Sequence, residues 1–297
     1  MNEPHMDTST TDRLSTRARL TVATLLLALA ACGPPGSRPG PASQGPSAPA
    51  GTVAPAEASP TPVERLLSHA EVEAIVSDRA ATFTRQVALL AGDLTDAELE
   101  RLVPAVRAAF DPDLLRADIV SFIESEVSDD AIVGEILSSV EEGASAELTR
   151  IADAHEPTLT LLEYARSLLD DPPEDRRVRA VVAWVEAQSA DEFFVLMEEA
   201  LNEAAHGVWA AFRPDATPFS PAMGRELRGR LTNSFNASVV SFLRAYETVP
   251  DSVLHAATAE YASEAGQWYV DAYALAVAES IRAAGLRVLA ELSGPGL

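Results

Sequence analysis

The chain contains no lysine; all 22 of its basic side chains are arginine. That bias points to a GC-rich coding sequence rather than to a function. Cysteine is almost absent too. Cys32 is the only one, so no disulfide can form within the chain. Positive charge is scarce overall, with 22 basic against 45 acidic residues and a net charge of −23. A surface this acidic excludes the electrostatic route to nucleic acid and to anionic lipid headgroups. Long apolar stretches are also missing. The charge-free run Leu20 to Ala31 extends about 18 Å as a helix, short of the roughly 30 Å hydrocarbon core of a bilayer.

What is present begins with that run. Arg13, Arg17 and Arg19 precede it, and Leu29-Ala30-Ala31-Cys32 closes it, followed by Gly33. A basic segment, a short apolar segment and a small-residue exit have the layout of a secretory signal. The exit looks like a bacterial lipobox, the motif read by lipoprotein signal peptidase. That resemblance implies cleavage before Cys32, two acyl chains on its sulfur and a third on its new amino group. Two or more chains give stable anchoring, at about 0.8 kcal/mol per buried CH₂. Loss of residues 1–31 removes three arginines and three acids, so the mature chain would keep its charge. The acyl chains must therefore do the membrane work. Retention signals in Gram-negative lipoproteins place Asp after the lipidated Cys. Gly33 stands there, so the analogy implies the outer membrane or cell surface in such a host.

Four regions follow from composition. Residues 1–31 are the signal and 32–62 the lipidated Cys with a tether. Gly33 to Pro62 holds nine prolines and five glycines with one charge pair, Arg38 and Glu57. It cannot bury enough apolar surface to fold, and thirty such residues reach at most about 90 Å. Residues 63–170 and 171–297 read as two helical units separated at Asp171-Pro172-Pro173. With 47% hydrophobic residues, much alanine and few β-branched runs, this part is expected to be globular and all-α, a multi-helix bundle.

Start and stop signals divide it further. Ser68-His69-Ala70-Glu71, Thr95-Asp96-Ala97-Glu98 and Ser189-Ala190-Asp191-Glu192 have the spacing of capping boxes. Asp111-Pro112 reads as a cap with Pro at the first helical position. Ser128 reads as the next cap, Pro157 as the start of a short helix, and Ser220-Pro221, Pro250-Asp251 and Ser263 as later starts. Pro104 should kink or split its helix, Gly143 should bend the helix that Ser128 opens, and an interruption is expected near Asn233 to Asn236.

Landmarks recur between the two runs. Ala108 to Asp113 is echoed by Ala210 to Asp215, Val120 to Ile123 by Val240 to Leu243, and Asp130 by Asp251. The offset grows from 102 to 121, so two related units would differ by an insertion of roughly 18–20 residues. Tyr246 to Trp268, with Val249-Pro250-Asp251 and then Tyr261-Ala262-Ser263-Glu264-Ala265-Gly266, resembles the domain-of-unknown-function family 2059. Tyr261, Ser263 and Gly266 match its segment opening a long helix. The resemblance implies a helical fold and an exported setting, and no activity.

Catalytic signals are thin. Glu199, Glu203 and His206 share one helix face, and Glu203-x-x-His206 has the spacing found in di-iron carboxylate bundles. None of His5, His69, His155 and His255 has a Glu three positions before it, so the second half of such a site is missing. Asp251 and His255 could add a carboxylate and an imidazole. His155-Glu156-Pro157 reads as a helix terminus, and Trp184, Trp209 and Trp268 as core. No serine-histidine-aspartate motif or glycine-rich phosphate loop occurs. No cofactor, metal or enzymatic activity is expected. The first reading is a membrane-anchored, non-enzymatic module that binds an envelope protein. The alternative is a helical binder of a lipid or another apolar ligand. A third, a metal protein, would use Glu199, Glu203 and His206.

Overall fold

The computed structural model describes residues 59–69, 79–92, 94–127, 129–155, 157–213, 215–231 and 234–294. Cys32, the signal and nearly all of the tether lie outside the described residues. Every regular element among the described residues is a helix: α1 Pro62–His69, α2 Arg79–Ala91, α3 Asp96–Ala109, α4 Pro112–Glu126, α5 Asp130–Glu142, α6 Ala144–Asp153, α7 Leu161–Asp170, α8 Asp175–Ala187, α9 Ala190–Phe212, α10 Pro221–Leu231, α11 Ser234–Ala245, α12 Asp251–Tyr261 and α13 Glu264–Leu292. The chain is thus an all-α, multi-helix protein. Two compact units divide it. One comprises Met1–Thr61 and Leu159–Pro172, and its described helix is α7. The other comprises Pro62–Thr158 and Pro173–Leu297 and holds the remaining helices.

Local chemistry explains most of the helix starts. Thr95 accepts from the Glu98 amide at 3.3 Å and Glu98 accepts from the Thr95 amide at 2.7 Å, closing the box ahead of α3. Asp111 accepts from Asp113 and Leu114 ahead of Pro112. Ser263 accepts from the Gly266 amide at 3.1 Å and starts α13, while Ser220 accepts from Met223 and starts α10. In the smaller unit α7 starts at a box of its own, Thr160 with Glu163.

Several starts differ from expectation. The short helix begins at Leu161 rather than Pro157, because the Thr160–Glu163 box outcompetes the proline. Asp129, not Ser128, caps α5 by accepting from Ala131 at 2.9 Å; Ser128 itself is outside the described residues. Ser68 sits inside α1 and donates to the Arg65 carbonyl; Ala70 and Glu71 are outside the described residues. Ser189 makes no capping bond. It takes the left-handed conformation, φ 44°, at the reversal between α8 and α9, so its side chain is turned away from the amides of the next turn. Helix α3 runs unbroken through Pro104. Pro104 and Glu100 are both exposed, and water can serve the Glu100 carbonyl that the missing N–H leaves unpaired. Gly143 does more than bend a helix: it ends α5 and begins α6.

In the larger unit α13 is the hub. It packs against α9, α4, α3, α5 and α12. A single core cluster joins Leu102, Leu115, Ile119 and Ile123 to Leu201, Val208, Val277, Ile281 and Val288, so the two runs read from the sequence share one interior. Each such buried aliphatic contributes about 1.5–3 kcal/mol.

Helices α9 and α13 run parallel. Phe193 stacks on Tyr273, with ring centroids 5.9 Å apart, and further along Glu203 meets Arg282 at 2.8 Å. Beside Ala204 the helices are close: a Cβ on Gly285 would lie 2.5 Å from the Ala204 Cβ and 3.2 Å from its Cα. Nothing there can rotate away. Gly285→Ala should therefore lower the urea midpoint, because overpacking of about 1–3 kcal/mol exceeds the helix-propensity gain of about 1 kcal/mol. Ala204→Gly in the same chain should restore much of that loss, a coupling that a double-mutant cycle reads directly. An unchanged midpoint for Gly285→Ala would mean that the helices part without cost.

Candidate functional site

Glu199, Glu203 and His206 do share one face of α9, and each is engaged with a different neighbour. Glu199 accepts two hydrogen bonds from Arg228 of α10, from Nε at 3.1 Å and from Nη2 at 2.7 Å. Glu203 accepts from Nε of Arg282, which also donates to Glu279 at 2.7 Å. His206 is 3% exposed, and its Nδ1 lies 2.9 Å from the Thr217 carbonyl oxygen. A carbonyl only accepts, so Nδ1 carries the proton. The ring sits between Trp209 and Phe219, with centroids at 5.4 and 5.5 Å. The histidine thereby fastens the loop after α9, and the two glutamates fasten α10 and α13.

The other candidates are similarly occupied. Asp251 accepts from Arg177 at 2.8 Å, and His255 is exposed one turn further on. His155 follows the end of α6, with Nε2 3.6 Å from the Glu247 carboxylate. Trp184 is buried; Trp209 and Trp268 are half-buried. Among the described residues no group of three or more His, Cys, Asp or Glu is placed to hold a metal ion. No helix among them is long and apolar enough to cross a membrane. Leu29, Ala30, Ala31 and Cys32 lie outside the described residues.

Three arrangements carry no signal in the sequence. Glu260 of α12 accepts from the amides of Ala144 and Ser145 at 2.7 and 2.9 Å and from the Ser145 hydroxyl at 2.5 Å. It caps α6, whose own N-cap, Gly143, has no side chain to do so. The partners stand 115 and 116 positions apart, beyond any local pattern. An open depression beside this contact is lined by Glu135, Ser138, Ser139, Glu142, Gly143 and Glu260. Arg177 donates to the Val249 carbonyl at 2.7 Å and also to the Tyr246 carbonyl, clamping the turn between α11 and α12. Arg213 donates to Glu98 at 2.7 Å, tying the end of α9 to the capping box of α3.

The bond from Arg213, with help from Thr95, holds the Glu98 carboxyl at about 2 against an ordinary 4.5. Burial raises Glu198 instead, with Arg79 opposing. For Glu98 the folded form favours the ionised state. Its stabilising effect is therefore complete above pH 4.5 and is lost as pH falls toward 2. Arg213→Gln should move the Glu98 titration, followed by NMR, back toward the ordinary value and flatten that part of the acid-unfolding profile. A Glu98 titration unmoved by the substitution would refute the pairing. Comparison of the chain with protein-family models, with curated proteins and with solved structures finds no match.

Proposed function

We propose that this protein is an exported lipoprotein, acylated at Cys32, whose helical bundle binds another protein of the cell envelope without catalysing a reaction. The observation that carries this reading is the sequence Leu29-Ala30-Ala31-Cys32 at the end of a short apolar run, followed at once by a proline-rich tether. The anchor fixes the chain to a membrane and the tether holds the bundle clear of it. With Gly33 after the cysteine, the outer membrane or cell surface is the proposed destination in a Gram-negative host.

Two features support a binding rather than a catalytic role. The two acids best spaced for chemistry are used in helix-to-helix contacts, and the histidine in holding a loop. Exposed apolar side chains such as Leu89, Leu275, Leu286 and Phe194 leave contact area available to a partner. The acidic surface favours a partner that is not itself acidic.

Labelling with an alkyne-bearing palmitate in the native host should tag the wild-type chain and leave Cys32→Ser unlabelled and in the aqueous phase on detergent partitioning. Label that persists in Cys32→Ser would overturn the anchor. Crosslinking in intact cells should then capture a discrete envelope protein. Native mass spectrometry showing a co-purified lipid instead would move the bundle to the apolar-ligand reading.

A further inference from the structure

Helix α13 is the hub of the larger unit, yet its outer face is not polar. Leu275 is 44% exposed and Leu286 67%. Between them, on the same line, stand Glu279, exposed, and Arg282, half-buried. The steps along this line are four, three and four residues, the spacing that keeps side chains on one seam of a helix. Every other residue between the two leucines is buried or half-buried. The outward face of a bundle helix ordinarily carries polar residues, so leucine at both ends of this line calls for a covering. Read from either end, the line is leucine, charge, charge, leucine, and reversal exchanges the acid for the base. We propose that this face of α13 is a homodimer seam. On it α13 of a second copy lies antiparallel, with Leu275 against the second copy's Leu286 and Glu279 against its Arg282.

The charges select both the occupant and its direction. In a parallel pair each Glu279 would face Glu279 and each Arg282 would face Arg282, and both contacts repel. In the antiparallel pair the four charges alternate in sign. Arg282 bonds Glu203 through Nε and Glu279 through Nη1 within its own chain. A guanidinium carries further N–H donors on Nη2, and these reach the second copy's Glu279. The α9 side of the seam leaves room for a second helix. Glu203, Gly207 and Ala210 share one face of α9 and all three are exposed. A Cβ on Gly207 would meet nothing within 4 Å, so small residues follow the Glu203–Arg282 contact along that side. The dimer goes beyond the envelope partner proposed above and does not require the lipid. Leu89 on α2 and Phe194 on α9 remain outside the seam.

The test uses the full chain in its own host. Two differently tagged copies are produced together, one carrying Leu275→Cys and the other Leu286→Cys, and the cells are treated with a mild oxidant. Both positions are exposed, so neither change reaches the core. Helix axes about 8–10 Å apart bring these two positions within disulfide range, about 7 Å between Cα atoms. Two copies of the same variant would hold their thiols about 16 Å apart along the axis. The mixed pair should therefore give a covalent dimer several-fold above either variant alone. The parent chain, whose only cysteine is Cys32, is the control: a covalent dimer that it also forms comes from Cys32 and counts against acylation, not against the seam. Glu279→Arg in both copies should cut the mixed dimer several-fold. Adding Arg282→Glu, which restores the alternation of sign, should bring it back. A mixed pair that crosslinks no better than the unmixed ones would overturn the seam. So would a mixed dimer indifferent to Glu279→Arg.

Discussion

The larger unit depends on the close approach of α9 and α13 at Ala204 and Gly285. At that point only the Ala204 methyl stands between the two backbones, and α13 is also the helix on which α3, α4, α5 and α12 pack. Small residues such as Ala274, Ala276, Ala278 and Ala284 line α13, and Ala200 and Ala205 line α9. Larger side chains of the same helices, Ile281, Val288 and Leu201, reach the common core. Alanine therefore serves this fold twice, as a helix former and as the means of bringing helix axes together.

Charge imbalance shapes what surrounds that pair. With acids outnumbering bases and lysine absent, every tertiary bond from a long basic side chain is made by arginine, whose planar fork can serve two acceptors at once. Arg287 bonds Asp118 and the Ala109 carbonyl. Arg177 bonds Asp251 together with the turn before it. Helix α13 has no basic residue in its last turn, and Arg101 of α3 supplies a donor to its Leu292 carbonyl at 2.8 Å. Few cations are present, and four in the larger unit, Arg101, Arg177, Arg213 and Arg287, donate to backbone carbonyls at helix ends and turns. At the other kind of helix end, Gly143 and Glu260 form one device. A Cβ on residue 143 would lie 2.5 Å from the Glu260 carboxylate and 2.6 Å from the Ser139 carbonyl oxygen, and the carboxylate supplies the cap that a glycine cannot.

Much of this was legible in the sequence wherever the governing interaction is local. Thr95 with Glu98, Asp111 ahead of Pro112, and Ser263 at the head of α13 each act within one turn, and pattern reading finds them. Thr160 with Glu163 has the same signature and carries equal weight, yet Pro157 three residues earlier drew the expected start away from it. Ser189 shows the reverse: its spacing is that of a box, but the chain must turn sharply between α8 and α9, and tertiary geometry overrides the side chain. The α9 face of Glu199, Glu203 and His206 was correctly placed by periodicity. Its partners, Arg228, Arg282 and the Thr217 carbonyl, were not, because they come from elements whose docking no local pattern encodes. The capping of α6 by Glu260 is the extreme case.

The parallel arrangement of α9 and α13 also fixes an order of events. Parallel neighbours cannot be joined by a short turn, so the intervening chain must travel out and back, through α10, α11 and α12, before the central contact can close. The helix that organises the core comes after all of its partners in the chain. Until it emerges, α3 and α4 have chiefly α1 and α2 to pack against and the centre of the core is open, and the decisive contacts span long stretches of chain. Completion of the larger unit's core is therefore deferred until α13 has been made. For the exported protein proposed above, that delay is useful: a chain unable to complete its core early remains threadable for passage across a membrane.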